Sequence, residues 1–287
     1  MVNKRTSACV FLRERVGLEP HRFEALVLKL GGPEAIWKAT PMALLKSEVF
    51  TDEQIGKLVR GRDERKEFEK DLETLARGGL AAVSCFDEGF PARILAMSHP
   101  PSFLYRSGSD PQLEPNLLVA GAMEADATEI AVAVEFGKKL ASLNVVLVSN
   151  LTEGLETATH VGALSGEGKH RVFLPCGHRA ATAWDSASVL ARVIEAGAVY
   201  SEFAPDTKPN ASRRTEACRL ALGTAQGVLV LGNLDERISA AVTAATTGGK
   251  PVFYVAGGDP DDSEVLRREG GYPLAGPESL ERILPLL

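Results

Sequence analysis

Residues 144–168 read NVVLVSNLTEGLETATHVGALSGEG. Val145–Val148 form a short apolar run without alternation, Ser149-Asn150 end it, and a segment of helical length follows from Leu155. A strand that is apolar on both sides suits a parallel sheet covered on both faces. The same unit recurs outward in both directions. NLLVAGA (116–122) precedes it, and HRVFLP (170–175), GAVYSEF (197–203), GVLVLGN (227–233) and KPVFYVAGG (250–258) follow. Between these runs the pattern predicts helices over 126–142, 155–167, 186–195, 212–223 and 236–247. Strand–helix alternation of this kind predicts an α/β fold, a Rossmann-like, mainly parallel sheet with right-handed crossovers and helices on both faces. Such sheets take ligands at the C-terminal tips of their strands, near the switch in strand order.

Upstream, the period changes. GLEPHRFEALVLKLGG (17–32) places Phe23, Leu26, Leu28 and Leu30 before a Gly-Gly stop, and Thr40-Pro41 separates two further short helices. Thr51 and Gln54 have capping-box spacing. Phe68, Leu72 and Leu75 share one face of a longer helix, whose other positions are Glu, Lys and Arg and read as a solvated surface. These features predict a small helical domain over 1–78, of SAM or helix-hairpin-helix type. An extended Rossmann-like domain would follow over 79–287, including a connector over 79–116. Within that connector, GLAAVSCF (79–86) has strand length, and SHPPSFLYRSG (98–108) turns at its double proline before Phe103-Leu104-Tyr105.

Charge is uneven along the chain. Of the 32 Lys+Arg and 38 Asp+Glu, residues 1–108 hold 17 and 15, and residues 109–287 hold 15 and 23, balances of +2 and −8. An acidic main domain repels phosphates on average, so a nucleic-acid site there requires a local basic patch. The four cysteines, Cys9, Cys85, Cys176 and Cys218, form no CxxC pair and suggest neither a zinc site nor a disulfide framework. Reduced cysteines, no secretory leader pattern and no membrane-length apolar run fit a cytoplasmic protein.

Catalytic signatures such as GxSxG, HExxH and the Walker lysine loop are missing from the sequence, which argues for a protein that is not an enzyme and needs no cofactor. The candidate positions lie at the predicted strand tips. Gly121 and the Gly257-Gly258 pair each end a strand, where a tight turn or a phosphate cradle would want them. Gly154 and Glu156 open the helix after Ser149, where free backbone N–H groups suit anions. Glu156 would serve as a cap or a general base, with His160 one turn on. Lys208, Arg213, Arg214 and Arg219 surround the start of the helix at 212–223. Cations there oppose the helix dipole, so they read either as a phosphate grip or as a basic turn paired with Glu216. Glu202, just past Ser201, would accept ribose or backbone hydrogen bonds, or cap the next loop.

In order and spacing these segments resemble the DprA/Smf family of DNA-processing proteins. VGLEPHRFEALVLKLGGPEAI (16–36) is similar to the family's opening helices. Phe90-Pro91 with Leu95 stands for its Tyr-Pro before Leu, and SHPPSFLYRSG for its Asp-Pro-Pro-x-x-Leu-Tyr-x-x-Gly. Ser149–Leu164 resembles Ser-Gly-x-Ala-x-Gly-Ile-Asp-x-x-Ala-His-x-x-Ala-Leu, with Asn150 and Glu156 as the departures. GAVYSEFAPDTKP is similar to its Gly-x-x-x-Ser-Glu-x-Pro. The family's Gly-Ser-Arg, whose arginine grips DNA phosphate, is here Gly121-Ala122-Met123, and Glu124, Asp126 and Glu129 follow. Of its Phe-Pro-x-Arg-Asn-Arg, Arg219 survives, while Ala217 and Cys218 replace Arg-Asn. LDERISAA stands where the family has a glycine-serine turn. This is the pattern of a divergent member. The resemblance implies binding and protection of single-stranded DNA in natural transformation and recombination, handover to a RecA-type recombinase, and a homodimer, for which the helix at 236–247 is a candidate contact. Lys208, Arg213, Arg214 and Arg219 would hold phosphates, with amides near Gly121 and Gly154 completing the seat. The alternative, from the same broad superfamily, is a nucleotide or nucleoside pocket of sensor or phosphoribohydrolase type built on Glu156, His160 and Glu202.

Overall fold

The computed structural model describes residues 3–112, 114–256 and 258–287. The chain divides into two compact units: one runs to Ser107 and includes Glu202–Ala204, and the other comprises Gly108–Ser201 and Pro205–Leu287.

The first unit holds helices α1 (Lys4–Glu14), α2 (Pro20–Leu30), α3 (Pro33–Lys38), α4 (Pro41–Lys46), α5 (Asp52–Gly61) and α6 (Arg65–Arg77). Strand β1 (Ala81–Ser84), the short α7 (Ala92–Leu95) and β2 (Phe103–Gly108) follow. β1 and β2 pair antiparallel, Ala81 opposite Arg106 and Ser84 opposite Phe103. The Thr51–Gln54 capping box forms at α5, satisfying two backbone donors reciprocally. Phe11 organises the core, edge-on to Trp37 at 4.6 Å and to Phe68 at 5.3 Å. Gly61 is required beside it, because a Cβ there would stand 1.9 Å from the Phe11 ring.

The second unit alternates β3 (Asn116–Gly121), α8 (Ala127–Ser142), β4 (Val146–Ser149), α9 (Leu155–Ser165), β5 (His170–Phe173), α10 (His178–Ala181), α11 (Ala187–Ala196) and β6 (Gly197–Ser201). It continues through α12 (Ala211–Thr224), β7 (Gly227–Leu231), α13 (Glu236–Thr247), β8 (Val252–Val255), α14 (Pro260–Arg268), β9 (Tyr272–Leu274) and α15 (Leu280–Ile283). Its strands run β6-β5-β4-β3-β7-β8-β9, with parallel pairing throughout. The chain winds outward from β3 to β6, then returns to β3's other edge with β7. The switch point therefore lies between β3 and β7, and the ligand crevice of a doubly wound sheet opens there.

Every residue of β3 to β7 is buried, as continuous apolar runs demand. The five helices expected over this unit are all present, displaced by no more than two residues at any end. Strand β9 and α14 were not anticipated: β9 is three residues long and two of them are exposed, so no apolar run marks it. α8 and α9 cross at backbone contact. A Cβ on Gly137 would stand 2.0 Å from the Thr159 carbonyl oxygen, and one on Gly162 would stand 1.9 Å from that of Val134. A buried ion pair ties the strands laterally. Arg171 on β5 donates to Asp110 at 2.6 and 2.9 Å and to Asn116 at 2.9 Å, and the Tyr200 hydroxyl on β6 donates to Asp110 at 2.7 Å. Burial pushes the Asp110 carboxyl up, but Arg171, the Gln112 N–H and Tyr200 outweigh it and hold it below the ordinary range.

Candidate nucleic-acid interface

Gly121 is the last residue of β3, and Gly154 is the N-cap of α9 at φ +85°. Both are confined to glycine by backbone approach. A Cβ on Gly121 would lie 2.8 Å from the Glu156 nitrogen, and one on Gly154 would lie 2.4 Å from the carbonyl oxygens of Ala122 and Met123. The β3 tip and the start of α9 are thus one tight assembly beside the switch point. Two of its four helix-start amides turn inward: Leu155 N–H donates to Ala122 O at 3.0 Å and Thr157 N–H to Thr152 O at 3.3 Å. Gly258 has open space where a Cβ would stand, and its neighbour Gly257 lies outside the described residues.

Glu156 is 1% exposed. Its carboxylate accepts from Thr152 N–H at 3.0 Å and from Arg237 Nη1 at 2.9 Å. Arg237 Nη2 also donates to the Gly121 carbonyl at 2.6 Å. Burial pushes the Glu156 carboxyl up, against the pull of Arg237, the Thr152 N–H and hydroxyl, and the Gly121 N–H. Arg237 is the residue that sequence reading missed. It sits in the first turn of α13, after the N-cap Asp235. In sequence it reads as one more charge in LDERISAA, and its partner lies 81 positions away.

His160 is fully buried in a polar chain rather than turned toward a ligand. Its Nε2 lies 2.7 Å from Ser149 Oγ and its Nδ1 lies 2.9 Å from Nδ1 of His170. Ser149 Oγ also accepts Leu151 N–H at 2.8 Å, which holds Leu151 at φ +56°. Burial, and then His170, drive the His160 pKa well below the usual imidazole range. Glu202 is buried and belongs to the first unit, whereas Glu156 and His160 belong to the second. Of the residues expected to build a nucleotide pocket, Glu156 and His160 thus take different partners.

Lys208 precedes α12, Arg213 and Arg214 lie in its first turn and Arg219 in its middle; Asn210 caps the helix by accepting Arg213 N–H at 2.9 Å. Lys208 and Arg214 are exposed, while Arg213 and Arg219 are half-buried. The Arg213 guanidinium donates to the Lys208 carbonyl at 2.7 Å, and Arg219 pairs with Glu216 at 3.0 Å. α12 lies against β3, β4 and β5. Met123, where the resemblance expects an arginine, is exposed at 51%.

Strand order, switch point and glycine-lined tips define a doubly wound, Rossmann-like protein. The family model for DNA recombination-mediator protein A matches residues 81–265, and the chain belongs to that family. A putative DNA processing protein DprA of Mycobacterium tuberculosis is 27% identical over 210 residues, 67% of this chain and 54% of the relative. The chain thus spans about half the length of that curated relative. DprA of Bacillus subtilis is 23% identical over 232 residues, 77% of each chain. DprA from Streptococcus pneumoniae shares the fold, with a TM-score of 0.78 at 17% identity over 97% of this chain and 98% of that one. DprA from Helicobacter pylori, described for its single-stranded DNA binding mode, has a TM-score of 0.63 at 17% identity over 72% of this chain and 95% of that one.

Proposed function

We propose that this chain binds single-stranded DNA through the start of α12 and acts by positioning the strand, without making or breaking bonds. The observation that carries this reading is the run of Lys208, Arg213, Arg214 and Arg219 just before and along α12, within a part of the chain, residues 109–287, that is acidic overall. Phosphates supply most of the affinity in such binding, and a groove of cations that tracks the backbone suffices for it. Gly121 and Gly154 belong to this reading as the residues that let the neighbouring strand tip pack closely enough for a shared surface. Family membership supports a role in recombination, and the Helicobacter relative supports the ligand. On the same reading the protein works in the cytoplasm, dimerises with a second copy, protects the strand during natural transformation and passes it to a RecA-type recombinase. The nucleotide alternative has less support, since Glu156 is engaged by Arg237 and His160 by Ser149 and His170.

The test is fluorescence anisotropy of a labelled single-stranded oligonucleotide at low and at physiological salt, beside an Arg213→Ala/Arg214→Ala/Arg219→Ala variant. Salt-sensitive binding that the variant loses is the expected result. No binding even at low salt, or undiminished binding by the variant, overturns the reading.

A further inference from the structure

The switch-point crevice contains an anion of the chain's own. Glu156 stands at the start of α9, 1% exposed, and takes the Thr152 N–H and one Arg237 Nη. Arg237 Nη2 is tied to the Gly121 carbonyl, and its Nε is buried without a partner among the described residues. The Thr152 hydroxyl and the Gly121 N–H also turn to Glu156, the Ala122 carbonyl already holds Leu155 N–H, and both it and the Met123 carbonyl press on Gly154. An incoming phosphate would therefore meet a carboxylate and carbonyl oxygens. The cation nearest it is already paired, and drawing that cation away would strand a buried carboxylate. A helix start that ordinarily welcomes an anion is filled from within.

We propose that Glu156 and Arg237 form a built-in counter-ion pair that closes the switch-point crevice to free phosphate groups, so that this site rejects inorganic phosphate and mononucleotides. Specificity then comes from exclusion as well as attraction. A polyanion is accepted only where its phosphates reach cations outside the crevice, as at the start of α12, while a lone phosphate has no seat. The pair is a specificity determinant, and its role does not depend on whether the α12 cations hold DNA.

The test is calorimetric titration with inorganic phosphate. Glu156→Gln keeps an oxygen for Thr152 N–H, removes the internal anion and releases the charge of Arg237. The wild type should show no saturable binding at millimolar phosphate. Glu156→Gln should gain at least about tenfold in affinity, and Glu156→Gln/Arg237→Gln should lose that gain. Saturable binding by the wild type that Arg237→Gln removes overturns the proposal. So does a Glu156→Gln protein with a native circular dichroism spectrum and no gain. Should that variant not fold, wild-type crystals soaked in phosphate decide. An intact Glu156–Arg237 pair with no phosphate at Gly121 supports closure, and a phosphate bound to Arg237 with Glu156 displaced refutes it.

Discussion

Acid should destabilise the second unit, because that unit buries neutral histidines. His170 is pushed down to about 4, by burial first and then by Lys169 and Arg192. His178 is pushed down to about 4 by burial, with its Nε2 near the Val199 carbonyl at 3.1 Å pulling the other way. His160 is displaced in the same direction. A folded-state pKa below the unfolded value of 6.5 means that the unfolded chain takes up the proton first. The stabilisation is complete above 6.5 and is lost as pH falls from 6.5 through 4. At pH 5 linkage gives a loss of about 2 kcal/mol for each of His170 and His178. Together that is about 4 kcal/mol, against a usual domain stability of about 5–15 kcal/mol. Calorimetry should show the melting transition of the second unit falling by roughly 8–15 °C between pH 7 and pH 5. In His178→Gln, which keeps a donor near Val199 O and cannot titrate, the fall should shrink by the share of one histidine, about 2 kcal/mol. Asp110 contributes in a separate window: its lowered pKa stabilises above 3.8 and is lost only as pH falls below that. A melting curve unchanged between pH 7 and pH 5, or an undiminished fall in His178→Gln, would refute the reasoning.

Three further outcomes follow from contacts in the second unit. Gly137→Ala or Gly162→Ala should cost about 1–3 kcal/mol or more in urea denaturation, because each Cβ meets a carbonyl oxygen across the α8–α9 crossing at about 2 Å. Arg171→Met should cost about 3–5 kcal/mol by leaving Asp110 buried without its partner, and Arg171→Met/Asp110→Asn should recover much of that in the same measurement. Asn210→Ala should cost about 1 kcal/mol by uncapping α12, and should weaken oligonucleotide binding by loosening the turn that carries Arg213 and Arg214.

Much of this molecule is legible in its sequence for a simple reason: the strands of the second unit are buried on both faces, and unbroken valine-rich runs have few other readings. Helix ends announced themselves through caps, as Thr51 and Gln54 show. Strand order was not legible, because nothing local distinguishes β7 as the neighbour of β3. The partnership of Glu156 with Arg237 depends on that order, since it brings the first turn of α13 beside the start of α9. His160 illustrates the same limit. Its spacing from Glu156 suggests a shared site, yet the two groups take different partners, Arg237 and the Ser149–His170 pair. The α12 cations were visible as residues, but that their helix packs against β3, β4 and β5 emerges only from the fold.

The central claim is that phosphates of a single strand are held at the start of α12, and the salt dependence of binding tests it most directly. Each phosphate contact on a single strand contributes about −0.7 to the slope of log K against log salt. Arg213→Ala/Arg214→Ala should therefore flatten the wild-type slope by about 1.4 while the fold, followed by circular dichroism, stays intact. A slope equal to that of the wild type would place the phosphates elsewhere and contradict the account.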